Sequence, residues 1–312
     1  VVRIILIGNG YFGSLYRERI MRHKEYELVG VVDSDYEKLK ALSGLTIAES
    51  YDAIANNVEH DAVVICTTPQ HHAELSINAM NRGKHVLCMK PGMMSLTDYE
   101  RIYEAHKTSG VGWMIDYTQL AAPEMDFLDQ MTLSLGDASS ISLSRHVVTP
   151  PKAEGILLDL FPHDLATTNI FFFKRDVSVN CKIDGVRATA TICDSETGKQ
   201  YAFLSASYNA TIPQKYTLLR LAPFNIITNP RIELAWEQNQ KFVEVRSQGR
   251  GVEIHFRHNP DMITMTLNSF RSCCEYNESN TYVSKPVMRM IHAMQHSASM
   301  NGASVECAEI RL

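Results

Sequence analysis

The sequence predicts an α/β protein in two parts. An N-terminal parallel sheet wound with helices precedes an α+β domain with an open, mostly antiparallel sheet. Three observations carry this. The first third of the chain alternates short β-branched runs with helical patterns, which builds a parallel sheet through right-handed crossovers. Beyond it, segments of alternating apolar and polar residues follow one another with few helices between, the mark of antiparallel pairing. Finally, 312 residues exceed a typical single core, so two domains are expected, 1–119 and 120–312.

In chain order, the β-branched run 2–7 reads as a strand and 13–23 as a helix. Strand 27–32 and helix 35–42 follow, then the apolar strand 61–67 and helix 72–81. Strand 85–89, helix 96–109 and strand 112–117 complete the alternation. The second part opens with a helix at 123–131, a strand at 139–148 and the pair Pro150-Pro151. An apolar helix is expected over 155–173. Strands then fall at 177–184, 188–193, 201–208, 216–222, 231–236, 242–248 and 252–255. Helices at 261–276 and 286–300 and a strand near 303–310 end the chain.

Composition narrows the functional class. With 45% hydrophobic and 21% charged residues the chain is ordinary globular material. A net charge of −5 and the lack of any basic run give no electrostatic reason to bind nucleic acid or anionic lipid. The apolar runs are far too short for a membrane span, and no leader pattern opens the sequence, so a cytoplasmic location is expected. Seven cysteines without a CxxC, and no His/Cys cluster with zinc spacing, read as reduced structural thiols and no metal.

The strand at 3–7 runs straight into Gly8-Asn9-Gly10-Tyr11-Phe12-Gly13, a GxGxxG, and a helix follows. Gly8 suits the tight turn, Gly10 the approach of a pyrophosphate, and Gly13 close packing of helix on strand. The helix N-terminus then receives the anion. Asp33 closes the second strand about 20 residues on, where a carboxylate accepts the adenosine ribose hydroxyls and repels a 2′-phosphate. Ser34 follows it in place of a phosphate-binding arginine. The expectation is a Rossmann domain that takes NAD in preference to NADP.

Three further segments resemble one family. Cys66-Thr67-Thr68-Pro69-Gln70-His71-His72-Ala73-Glu74-Leu75 is similar to the TPxxxHAEL stretch of the Gfo/Idh/MocA family, one residue shorter between Pro69 and His72. Gly83–Pro91 resembles its GKHVLxEKP, and Gly155–Asp164 its GGxLLDxxxHD. The resemblance implies a cofactor-bound cleft between the domains, with Thr67, Thr68, Pro69, His72, Lys90 and Pro91 on the cofactor. It also implies that Tyr117, Lys90, Asp159 and His163 face the substrate. Spacing agrees: residues four apart on a helix share a face, as Asp159 and His163 do in the expected helix.

The chain departs from the family pattern in places. Met89 stands where the family has Glu, so the acidic neighbour of Lys90 is missing from its usual place. Ala166 replaces an acid found after the His-Asp pair, and Tyr117-Thr118-Gln119-Leu120 lacks the family's arginine. The implied chemistry is hydride transfer between NAD(H) and a sugar, cyclitol or related small hydroxy or keto compound, with His163 as base and Lys90 steadying the oxygen. With a neutral Lys90, the lysine itself serves as base. The alternatives are an NAD-using epimerase or glycosidase, or a non-catalytic dinucleotide-binding regulator. A homodimer or homotetramer is expected through an apolar open sheet face carrying Phe203, Leu219, Leu221 and Leu234.

Overall fold

The computed structural model describes residues 1–135, 139–172, 176–221, 224–228, 242–247, 250–255 and 261–307. The chain forms two compact units, Val1–Thr118 with Asp261–Tyr282, and Gln119–Pro260 with Val283–Leu312. The division expected at 119/120 is a single cut, whereas the first unit also takes in 261–282. Leu267 and Phe270 of that returning segment join Ile4, Leu6, Tyr16 and Ile20 in one core.

The first unit is built on β1 (Val2–Ile7), β2 (Tyr26–Val32), β3 (Thr46–Ala48), β4 (Ala62–Ile65), β5 (His85–Met89) and β6 (Trp113–Asp116). They form a parallel sheet in the order β3-β2-β1-β4-β5-β6, the doubly wound order of a Rossmann sheet. β4 is buried along its whole length, as a central parallel strand covered on both faces must be. Around the sheet stand α1 (Tyr11–Arg22), α2 (Tyr51–Ile54), α3 (His72–Asn81) and α4 (Leu96–Ser109). The strand order reverses between β1 and β4, so the loops after these strands part at the carboxyl edge and leave a crevice.

The helix expected at 35–42 is a single 3₁₀ turn, Tyr36–Lys38. The carboxylates of Asp33 and Asp35 accept the N–H groups of Asp35 and Glu37, and these local bonds compete with a regular helix. β3 and α2, both missing from the expected scheme, follow.

The second unit holds α5 (Pro123–Leu135), α6 (Gly155–Asp159), α7 (Phe161–Phe172) and a sheet of nine described strands. These are β7 (Ser140–His146), β8 (Val177–Asp184), β9 (Arg187–Asp194), β10 (Gln200–Ser207), β11 (Gln214–Leu221), β12 (Phe224–Thr228), β13 (Phe242–Ser247), β14 (Arg250–His255) and β15 (Val305–Cys307). Every pairing is antiparallel except β7 with β10. The strand expected at 231–236 lies outside the described residues, and so does the end of the one expected at 303–310. α8 (Met262–Tyr276) belongs to the first unit, and α9 (Thr281–Ser299) begins five residues earlier than expected, with Pro286 inside it.

Two sequence expectations need correction here. The helix expected over 155–173 breaks at Leu160 into α6 and α7, because Pro162 has no N–H to offer the carbonyl of Leu158. The apolar open face is also revised. Strand register aligns Leu219, Ile141, Ala202, Ile192 and Val179 in one row, each at most 1% exposed, on the helix-covered face. Phe203 points the other way, in register with Ser142 and Thr191, and Ser205 lies beside Ser144 and Thr189. That face is rich in hydroxyls. Leu234 and the side chain of Leu221 lie outside the described residues.

Candidate functional site

In the first unit the glycine turn follows the geometry its sequence demands. Gly8 has φ +93°, and a Cβ there would stand 2.7 Å from the carbonyl of Cys66. A Cβ on Gly13 would stand 1.9 Å from the carbonyl oxygen of Gly8, so only glycine lets α1 sit this close to β1. Gly10 meets nothing within 4 Å: its missing side chain leaves open space. It is the N-cap of α1, which has no side-chain cap and no acidic residue in its first turn. The N–H groups there are oriented for an anion.

The space is a cavity of about 580 Å³. Gly8, Gly10, Tyr11 and Phe12 line it from the turn, Asp33 and Ser34 from the end of β2, and Thr67 and Thr68 from the loop after β4. The rings of Tyr11 and Phe12 meet edge to face at 5.3 Å and are largely exposed. The lining also includes Lys38, Tyr51, Glu74 and Asn78, which the sequence reading did not single out. Lys38 lies five residues after Asp33, and that short spacing was the one signal available.

Asp33 is 8% exposed and does not serve as a helix cap. Its Oδ2 accepts the Asn9 N–H at 2.7 Å, and its Oδ1 accepts the Asp35 N–H at 2.9 Å and lies 3.4 Å from Lys38 Nζ. A carboxylate has about four acceptor positions, so room for a hydroxyl remains. Asn9 is buried: its amide donates to the Lys38 carbonyl, and its Oδ1 accepts from Arg17. The turn, β2 and α1 are thereby tied together. These residues suit a dinucleotide: an open glycine and free helix N–H groups for a pyrophosphate, and a carboxylate for a ribose.

Of the other residues expected on the cofactor, Pro69 opens the 3₁₀ turn that leads into α3. His72 is 1% exposed, with Nε2 3.0 Å from the Thr67 carbonyl. Burial lowers its pKa to about 4, so the ring is neutral and props the Thr67 loop from beneath. Lys90 and Pro91 follow β5, and neither they nor Tyr117 lines the cavity. The Tyr117 hydroxyl is buried, has no hydrogen-bond partner among the described residues, and is held protonated by burial.

Asp159 and His163 belong to the second unit. Asp159 ends α6 and is 3% exposed; His163 stands in the first turn of α7. Both carboxylate oxygens of Asp159 accept hydrogen bonds, from Lys152 Nζ at 2.9 Å and from the Tyr208 hydroxyl at 3.0 Å. Burial, and then Asp159 itself, push the Tyr208 phenol up, which keeps it a donor.

The next residue along from His163 is clamped. Arg145 on β7 donates to both oxygens of Asp164, at 3.2 and 2.5 Å, and to Gln119 Oε1 at 2.8 Å. Gln119 in turn donates to Thr167. Arg145 therefore links Gln119, just after β6, to the first turn of α7. Ala166 is fully buried. The sequence reading missed Arg145, Lys152 and Tyr208, whose partners are distant along the chain.

Comparison with known proteins agrees with the first unit's geometry. An inositol 2-dehydrogenase of Rhizobium meliloti is 25% identical over 231 residues, 67% of this chain and 70% of that protein. A 4-carboxy-2-hydroxymuconate-6-semialdehyde dehydrogenase of Sphingobium is 29% identical over 135 residues, 41% of this chain and 42% of that enzyme. For three of the curated relatives the matched stretch takes in only 31%, 42% and 52% of their own length. Among solved structures, an oxidoreductase of Desulfitobacterium hafniense, described as NADPH-dependent, shares the fold. Its TM-score is 0.85 at 17% identity, covering 99% of this chain and 98% of that one. Residues 2–117 match the model of the Gfo/Idh/MocA oxidoreductase family, described by its NAD-binding Rossmann fold.

Proposed function

We propose that the protein transfers a hydride between NAD(H) and a sugar, cyclitol or related small hydroxy or keto compound. The observation that carries this is the cavity where an open Gly10, an uncapped helix N-terminus and the Asp33 carboxylate meet. A bound nicotinamide supplies or accepts the hydride. Lys90, as an ammonium, donates to the substrate oxygen and stabilises charge developing there. His163 takes the hydroxyl proton, because an imidazole titrates near neutral pH. Asp159, held by Lys152 and Tyr208, orients the substrate.

Asp33 favours NAD, since a 2′-phosphate would meet its charge. Lys38 beside it softens that repulsion, so we expect a preference rather than exclusion. One experiment tests the whole reading. Purified protein is offered NAD or NADP with a panel of polyols, sugars and their keto forms, and reduced cofactor is followed by absorbance. We expect turnover with NAD on at least one of them. Lys90→Ala and His163→Ala should each lower it by at least about 10²-fold while calorimetry shows NAD still bound. Asp33→Ser with Ser34→Arg should turn the preference toward NADP. Normal turnover in both alanine variants would remove these residues from the mechanism.

We also infer a homodimer or homotetramer through the open sheet face, supported by Phe203, which is 37% exposed among hydroxyl side chains. Light scattering should find the oligomer, and Phe203→Lys should weaken it; a monomer at micromolar concentration refutes the assembly.

A further inference from the structure

We propose that Glu49, the residue after β3, selects the base of the dinucleotide. Its carboxylate accepts the 6-amino group of adenine and disfavours a purine with oxygen at that position, such as hypoxanthine. The proposal rests on the reading of the cavity as a dinucleotide site.

Three neighbouring strands set the order along the cavity. One side of the sheet runs β3-β2-β1. The glycine turn follows β1, Asp33 follows β2 and Glu49 follows β3. In the parallel register Val32 stands beside Ala48, and the Asp33 N–H donates to the Ala48 carbonyl at 3.2 Å. Glu49 is therefore the next residue outward from Asp33 on the carboxyl edge of the sheet. Half of a dinucleotide has the same sequence of parts: pyrophosphate, ribose, base. With the pyrophosphate on the turn and the ribose on Asp33, the base falls to the end of the cavity that Glu49 lines.

That end is firmly built. Tyr51 and Asp52 of α2 line one wall, and Leu75 and Asn78 of α3 the other. Asp52 Oδ1 accepts from the Asn78 amide and from Arg82, each at 2.9 Å, and Arg82 Nε donates to Asn78 Oδ1 at 2.8 Å. The Tyr51 hydroxyl lies 2.8 Å from His60 Nε2. These bonds tie α2 to α3 and occupy polar groups of the walls, while half-buried Leu75 offers apolar surface to a flat ring.

Glu49 stands apart from its charged neighbours. Asp52 already serves two donors, Glu74 meets Arg101, and Lys38 lies between Asp33 and Asp35. The Glu49 side chain is exposed and has no hydrogen bond or ion pair among the described residues. A carboxylate only accepts, and a charged acceptor bonds more strongly than a neutral one. It therefore separates an amine on the ring from a carbonyl at the same position.

The test is calorimetry on the full chain with NAD and with nicotinamide hypoxanthine dinucleotide, in which oxygen replaces the 6-amino group. The parent should bind NAD at least about 10-fold more tightly. A glutamine amide both accepts and donates, so Glu49→Gln should bind the two within about threefold of each other. Its thermal melt should match the parent's, since the side chain has no internal partner to lose. Equal affinity of the parent for both dinucleotides, or a Glu49→Gln variant that keeps the full preference, overturns the proposal. Either result with NAD still bound leaves the cofactor site standing and removes only the role of Glu49. Binding of neither dinucleotide removes both.

Discussion

At the scale of single residues, His72 makes the site sensitive to acid. Its ring is neutral in the folded protein, with a pKa lowered to about 4 by burial, while an unfolded histidine titrates near 6.5. The unfolded chain therefore binds the extra proton first. Stability is intact above about pH 6.5 and declines as pH falls toward 4, by on the order of 3 kcal/mol. His72→Gln should abolish that part of the decline, and stability curves for the two proteins that run parallel over this range would contradict it. Residues such as Gly8, Gly10 and Gly13 were legible in the sequence because each answers a constraint of its own backbone and nearest strand. Asp33 was legible for the same reason, at the end of a readable strand. Lys152 and Arg145 were not: each matters through a partner that only the folded chain brings near, and no local pattern marks them.

At the scale of elements, the placing of His163 depends on how α7 is moored. α7 starts at a break, so it cannot inherit its direction from α6 through a continuous ladder of hydrogen bonds. The bidentate pair of Arg145 with Asp164, side chains 12% and 3% exposed, fastens its first turn to β7. Removing one partner leaves a buried charge uncompensated. Arg145→Met should cost about 3–5 kcal/mol, and Arg145→Met with Asp164→Leu should recover most of it. Denaturant melts decide this, and a single variant as stable as its parent would mean that the pair is not a mooring. The single helix read from the sequence failed here because apolar periodicity runs on through Leu160, whereas the missing N–H of Pro162 is a fact about one residue. The 3₁₀ turn at Tyr36–Lys38 was hidden for a related reason: aspartates that suit a helix start also close turns on their own.

For the molecule as a whole, the first unit is not a contiguous piece of chain. The Tyr26 hydroxyl donates to the Leu267 carbonyl at 2.7 Å, and Asn280 both donates to and accepts from the backbone of Ile115. The Trp113 N–H donates to the Glu278 carbonyl, and Trp113 bridges Ser279 in parallel fashion, so the returning segment covers the outer edge of β6. A chain of residues 1–118 alone should lack a cooperative melt and tend to aggregate, whereas the same chain with 261–282 attached through a flexible linker should melt as a unit. Cooperative unfolding of 1–118 by itself, with the stability of the intact unit, would contradict this. The same cover also sets a timetable for the chain as it leaves the ribosome. Some 140 residues separate the end of β6's segment from the piece that shields it. At the ordinary pace of translation that is roughly 7–30 s. Throughout that interval a nascent strand edge stands open, and it is the stretch of the growing polypeptide that a chaperone has most reason to hold.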